Sequence, residues 1–219
     1  MMLMRLMLQN QNNFDYIDHY KKDAEKFDYF EERFGATKDD ERRLREYLIT
    51  KVPINPISII DIGCGSGWVA ENFCKKGIKV YSTDISINNV KKSLQKTNCK
   101  NHFGIVMDSF NPPIKQNIID VIISSEVIEH VVKPDLFIIS LYKLIKKNGR
   151  LIISTPYKEI LKHVLCIHCN NITPIHAHLH SFDENDFIEY NKNLQNSNME
   201  YFIFGNKVLI FLRMYTILK

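Results

Sequence analysis

Very little in these 219 residues is concentrated, and what is missing narrows the possibilities first. There are five cysteines, and only Cys166 and Cys169 stand close together. That is no disulfide framework, and a reduced, cytoplasmic compartment is the expectation. Charge of one sign never gathers into a dense block. The formal net charge of +4 and pI of about 8.7 are spread along the chain, which permits a nucleic-acid partner without arguing for one. No apolar run is long enough to cross a bilayer, so integral membrane insertion is not expected. The opening MMLMRLMLQNQNN is apolar for too few residues, lacks a small-residue cleavage site, and reads as a frayed or misassigned start. Internal repeats and low-complexity tracts are absent. With 45% hydrophobic and 25% charged residues the chain is ordinary globular material, one domain with at most a small appendage. Composition leaves the oligomeric state open.

Glycine is scarce too, eight in all, which makes three of them in five positions a signal. They fall in Ile57 to Ala70, ISIIDIGCGSGWVA. The β-branched run Ile57, Ile59, Ile60, Ile62 reads as a buried strand. It meets Asp61, then Gly63, Gly65 and Gly67, then a helix-like WVAENFCKKG. Glycines after a strand let the backbone turn sharply and approach a ligand, and the helix start offers free N–H groups. Read from Gly65, GSGWVA fits a dinucleotide fingerprint with alanine in last place, the turn of an NAD-dependent oxidoreductase. Read from Asp61, DIGCGSG fits an acidic-x-G-x-G-x-G pattern. The glycines do not choose between them.

Downstream the chain alternates. GIKVYSTD is a second strand ending on Asp84, followed by a helix, INNVKKSLQKTN, and a third strand, HFGIVMD, ending on Asp108. IIDVIISSEVIEHV supplies a fourth strand and its exit, LFIISLYKLIKKNG a helix, and GRLIISTP a fifth strand stopped by Pro156. Such alternation predicts an α/β fold with a doubly wound, mostly parallel sheet and ligands at the carboxyl ends of its strands. The first four strands end at or within two residues of Asp61, Asp84, Asp108 and Glu126, more acid than a fold needs. Ahead of the core, FDYIDHYKKDAEKFDYFEERFG and ATKDDERRLREYLIT read as amphipathic helices, with Tyr16, Tyr20, Phe27 and Phe30 at roughly helical spacing. They either pack on the sheet or, in the first half, form a lid. Residues 1–50 are thus a helical cap, 51–156 the nucleotide-binding core, and 157–219 a His/Cys-rich insertion with the C-terminal part of the sheet.

DIGCGSG, Asp84, VMDSF, SSEVIEHV and LIKKNGRLIISTP together resemble, in order and spacing, the motifs of class I S-adenosylmethionine (SAM) dependent methyltransferases. The resemblance is nearest to the ubiquinone-pathway O-methyltransferases and the small-RNA 2′-O-methyltransferases, which share an E-x-x-E-H element. It implies the Rossmann-like fold of that class and SAM as cofactor. It implies that Asp61 and the backbone of Gly63, Cys64, Gly65 and Gly67 hold the methionine end, and that Asp84 with Ile85 binds the ribose. Asp108 would take the adenine amino group between Met107 and Ser109, and Ser125 at the exit of the fourth strand would also bind the cofactor. The acceptor is expected to be a small hydroxylated molecule, or alternatively an RNA ribose 2′-hydroxyl. A SAM-binding regulator without catalysis is the remaining alternative.

Removing a hydroxyl proton needs a base or a metal. Glu126, Glu129 and His130, at i, i+3 and i+4, are expected to share one face of a helical turn and to serve as catalytic groups or as ligands of Mg²⁺, Mn²⁺ or Zn²⁺. Five of the eight histidines lie between His163 and His180. The resemblance implies that His180 completes the metal site, with His178 as second choice. Cys166 and Cys169 with His176 and His178 form an alternative zinc set. Asp183 begins a helix, DENDFIEYNKNL. Beyond it, Gly205-Asn206 between YFIF and KVLIFL turns a closing hairpin, unless KVLIFLRMYTIL is a helix.

Overall fold

The computed structural model describes residues 16–26, 28, 30, 31, 34–165 and 172–203. Its centre is β1 (Ser58–Ile62), buried at every residue because Ile59, Ile60 and Ile62 face packed layers on both sides of the sheet. β2 (Lys79–Asp84), β3 (His102–Val106), β4 (Ile119–Ser125) and β5 (Ile145–Ser154) join it in the order β3-β2-β1-β4-β5. All four pairings are parallel. The strand order reverses between β1 and β4, so the crevice outside their carboxyl ends is where this topology takes a ligand.

The helices cover the faces. α1 (Tyr16–Lys26) and α2 (Gly35–Lys51) precede the sheet. α3 (Trp68–Phe73) follows the glycine turn and tightens into a single 3-10 turn, Cys74–Lys76. α4 (Ile87–Lys96) starts at Ser86, whose side chain accepts from the Asn88 N–H. α5 (Pro134–Tyr142) has Pro134 in its first turn and buries Phe137, Ile138 and Leu141. One core runs from Leu48 of α2 through Ile59, Val69, Phe73, Val80, Val121 and Ile123 to Ile152. Each such side chain contributes about 1.5–3 kcal/mol on leaving water.

The doubly wound parallel sheet therefore stands as expected, with two local differences. The helix before β5 ends at Tyr142, and β5 begins at Ile145, earlier than GRLIISTP suggests. Ile145 pairs with Ile119 ahead of a bulge, and Asn148 takes a left-handed φ of 64° there. Lys146 pairs with Asp120, which also accepts from the Ser58 N–H and Oγ–H at 3.0 and 2.6 Å, so the charge that looked helical holds the sheet's lower edge. Secondly, after Pro156 the chain forms an antiparallel pair, β6 (His163–Leu165) with β7 (Ile172–Pro174), inside the insertion. Tyr157 bridges to Phe182, and the Lys158 N–H donates to the Phe182 carbonyl at 2.8 Å, which closes the insertion at its base.

Residues 1–182 and 183–219 form two compact units. In the second, α6 (Glu184–Lys192) opens on a capping box. The Asp183 side chain accepts from the Asn185 N–H at 2.8 Å, and the Asp183 N–H donates to Asp186 at 2.8 Å. The expected hairpin about Gly205-Asn206 lies outside the described residues, as do the opening residues and the Cys166–Cys169 pair. Among the described residues no helix is long and apolar enough to cross a membrane.

Candidate active site

Asp61, one residue before the end of β1, is buried, and its Oδ2 has no hydrogen-bond partner among the described residues. Burial, and then the negative charge of Asp84, push its carboxyl well above the ordinary range, and Arg45 only partly offsets them. The glycine turn follows directly. Gly63 has φ 65°, and a Cβ there would stand 2.7 Å from Cγ2 of Val127. Gly67 caps α3 at φ 73°, in the left-handed region that side chains avoid. The Cys64 N–H donates to the Thr83 carbonyl at 2.9 Å, and the Cys64 thiol is buried and pushed upward by that burial. Outside the turn, Arg45 of α2 donates to Ser66 Oγ at 3.1 Å and Lys96 of α4 donates to the Ser66 carbonyl at 2.9 Å.

The other strand ends converge on the same crevice. Asp84 Oδ1 accepts from the Ser86 N–H at 2.8 Å and Oδ2 from Asn89 Nδ2 at 3.2 Å, with Ile85 beside it. Asp108 Oδ1 accepts from the Phe110 N–H at 2.9 Å, while Oδ2 accepts from the Tyr16 hydroxyl at 2.7 Å. Met107 is buried, and the Ser109 carbonyl accepts from Ser140 Oγ at 2.5 Å. One turn further along α1, Tyr20 donates to the His130 carbonyl at 3.0 Å and sets its ring edge-on to the imidazole at 5.8 Å. α1 thus reaches both the β3 exit and the β4 exit.

At the β4 exit the expected single helical face does not form. Glu126 takes a left-handed φ of 55° and stands outside the 3-10 turn Ile128–His130 that carries the other two residues. Its Oε1 accepts from Ser154 Oγ at 2.8 Å, and since Ser154 gives its proton there, Ser125 is the donor in the 3.1 Å bond to Ser154. Glu129 is 1% exposed; its Oε2 accepts from Thr155 Oγ1 at 3.1 Å. Burial, and next the charge of Glu126, push its carboxyl up to about 8.

The insertion closes over this turn: the Leu179 and His180 N–H groups donate to the Glu129 carbonyl at 2.7 and 3.3 Å. The imidazole it delivers is His178. Ligand atoms of Glu129, His130 and His178 lie within 4.8 Å of one another, whereas His180 tilts against Phe182 at 5.8 Å. Of the expected set Glu126, Glu129, His130 and His180, the described residues bring the ligand atoms of Glu129 and His130 together with those of His178, the second choice, in place of Glu126 and His180. A register two residues off is natural here, because the insertion is pinned by backbone bonds at Leu179 and His180. His176, at φ 60° and exposed, lies 5.8 Å from His178 by ring centroids. Cys166 and Cys169, the other half of the zinc alternative, lie outside the described residues.

A family described as a methyltransferase domain matches residues 29–197. The chain belongs to that family. The oxidoreductase reading of the glycine turn is set aside. The Ubiquinone biosynthesis O-methyltransferase of Pelagibacter ubique is 34% identical over 118 residues, 52% of this chain and 48% of that protein. The Ubiquinone biosynthesis O-methyltransferase, mitochondrial, of Schizosaccharomyces pombe is 33% identical over 128 residues, 55% and 47% of the two chains. The chain thus spans about half the length of the curated relatives it matches. A SAM dependent methyltransferase from Aquifex aeolicus shares the fold of this methyltransferase domain with TM-score 0.53 at 18% identity, over 74% of this chain and 88% of that one. Haemonchus contortus Phospholethanolamine N-methyltransferase 2 does so with TM-score 0.54 at 16% identity, over 69% and 36%.

Two contributors to the site escaped the sequence reading. Arg45 lies in a charged run, DDERRLRE, whose composition looks like an ordinary solvated helix face. Glu159, whose Oε2 is 2.5 Å from His178 Nδ1, follows Pro156 with no motif around it.

Proposed function

We propose that this domain transfers the methyl group of SAM to an oxygen of a small hydroxylated acceptor, assisted by a divalent cation at Glu129, His130 and His178. The observation that carries the donor half is Asp61. A buried carboxylate oxygen without a partner, next to a second carboxylate, calls for a cationic donor. The methionine end of SAM brings an ammonium and a sulfonium, whereas a dinucleotide would bring a pyrophosphate into a negative field. Asp61 takes the ammonium, Arg45 faces the carboxylate, and the backbone of Gly63, Cys64, Gly65 and Gly67 leaves room for the chain between them. Asp84 and Ile85 receive the ribose; Asp108, Met107 and Ser109 receive the adenine. SAM itself supplies an already electrophilic methyl group, so the protein's work is alignment and readying the oxygen.

The acceptor half rests on donor chemistry. One buried carboxylate and two imidazoles, crowded by Glu126, suit a divalent ion of the Zn²⁺ or Mn²⁺ kind better than Mg²⁺, which prefers oxygen alone. Such an ion supplies Lewis acidity that lowers the pKa of an acceptor hydroxyl. Glu129 and His130 hold that point of the crevice, and Ser125, bonded to Ser154, is assigned to the cofactor side. The curated relatives, which by name serve ubiquinone biosynthesis, support a small acceptor over an RNA ribose.

Calorimetry with SAM on the parent and on Asp84→Ala tests the donor half. Lost pairing to buried hydroxyls costs roughly 1–3 kcal/mol, so affinity should fall about tenfold or more. Unchanged affinity, or tighter binding of NAD by the parent, refutes it. Methyl transfer from radiolabelled SAM to a catechol, with and without chelator, tests the acceptor half. A rate untouched by chelation removes the cation and leaves His130 as the candidate base.

A further inference from the structure

Both imidazoles of the cluster have one ring nitrogen committed. His130 Nδ1 lies 3.3 Å from the Ala177 carbonyl, an atom that only accepts, so Nδ1 carries the proton and Nε2 the lone pair. His130 Nε2 is 4.0 Å from Glu129 Oε1. His178 Nδ1 lies 2.5 Å from Glu159 Oε2, with the histidine side chain 14% exposed and the glutamate 31%. The carboxylate fixes the Nδ1–H form of His178 as the carbonyl fixes that of His130. Each ring thus carries its lone pair on Nε2, and the two rings stand edge to face at 4.8 Å beside Glu129.

We propose that Glu159 is a positioning residue of this site: its hydrogen bond to Nδ1 of His178 sets the tautomer and orientation in which Nε2 ligates a divalent cation together with Glu129 and His130. The proposal rests on the cation reading given above. Its physical reason is general. An imidazole that donates its second N–H to a carboxylate is held in one rotamer and one tautomer and becomes a more basic ligand. Glu159 is well anchored for the task. Its neighbour Lys158 is tied to Phe182 by a backbone bond at 2.8 Å, so the carboxylate stands at the base of the loop that carries His178. It also adds negative charge facing Glu126 and Glu129, since its charge raises both of their carboxyls. A cation or a proton among these carboxyls relieves that repulsion.

Co²⁺ is the probe, because its visible bands report nitrogen and oxygen ligation while thiolate ligation by Cys166 or Cys169 would show as a near-ultraviolet charge-transfer band. Titration of the metal-free full chain should give a Kd that rises about 10–100-fold in Glu159→Ala. Glu159→Gln, which keeps an accepting oxygen without the charge, should lose less, and SAM affinity should not change in either. Glu129→Ala should lose the site altogether. In the metal-free protein, long-range ¹H–¹⁵N spectra should show His178 wholly in the Nδ1–H form in the parent and as a mixture in Glu159→Ala, a signature that a purely structural role would not move. If Glu129→Ala abolishes binding while Glu159→Ala and Glu159→Gln bind Co²⁺ as the parent does, Glu159 has no such role and the cation reading stands. A parent that takes up no Co²⁺ at this site overturns both.

Discussion

Replacing Asp61 by asparagine should move stability and cofactor affinity in opposite directions. The side chain is 2% exposed, and Oδ2 lacks a partner among the described residues. Burial first, and Asp84 second, raise its carboxyl well above the ordinary 3.8. A group whose folded pKa is raised contributes stability that is full below its unfolded value and is lost as pH rises through the folded one. As pH rises above the ordinary carboxyl range, ionising Asp61 in the folded protein therefore costs the parent stability that D61N, whose side chain is close in shape and uncharged, does not lose. Relieving a buried, poorly compensated charge is worth roughly 1–4 kcal/mol. In a chain of this length each kcal/mol shifts Tm by about 2–4 °C. Ligand-free D61N should thus melt several degrees above the parent at pH 7.5, with the gap closing toward pH 4. SAM, in contrast, loses a charge-assisted hydrogen bond of about 1.5–3 kcal/mol, so calorimetry should show binding weakened roughly 10- to 150-fold. A variant that melts below the parent at pH 7.5, or keeps its SAM affinity within about twofold, refutes the assignment of Asp61 as an unsatisfied acceptor awaiting a cation.

Three further outcomes follow from the site. In chelator, the Glu129 carboxyl is raised to about 8, so its contribution to stability declines as pH rises from 4.5 through that value; melts at pH 6 and 9 should show the parent losing stability that Glu129→Gln keeps. Tyr16→Phe removes the 2.7 Å bond to Asp108, and amides of 16–26 should exchange about tenfold faster, with slow exchange elsewhere unchanged. Arg45→Ala removes the brace on Ser66 and the positive charge near Asp61; SAM affinity should fall about tenfold, while the half-exposed pair with Glu41 limits the change in Tm to that of about 1 kcal/mol or less.

The parts of this molecule that the amino-acid order makes plain are those set by short-range periodicity. Buried β-branched runs alternating with amphipathic helices are enough for the parallel sheet, and Asp61, Asp84 and Asp108 follow because strand ends are readable. What escapes is set by tertiary closure. Nothing local says that Glu126 leaves its turn at φ 55°, since that conformation is imposed by the Glu126 N–H bonding to the Ser154 carbonyl of β5 at 3.1 Å. His178 and not His180 reaches the cluster because two N–H groups of the insertion bond to a single carbonyl. KLIKKNG looks helical by charge and spacing, yet Ile145 and Lys146 are taken by Ile119 and Asp120 of β4. Arg45 and the α1 tyrosines act on partners many residues away and carry no motif of their own.

Between Gly63 and Val127 the fit is one of tolerances. The space there is smaller than one methyl group: a Cβ on Gly63 would meet Val127 Cγ2 at 2.7 Å. Val127 is the residue between Glu126 and the turn that presents Glu129 and His130. The wall on which the donor would rest and the wall on which the acceptor would rest are thus two sides of a single van der Waals contact. Any bulk added on one side is transmitted to the other as displacement, with no soft layer between to absorb it. An engineer seeking to widen the β4 exit through Val127 would be resizing the glycine turn in the same stroke, and would need to adjust both walls together.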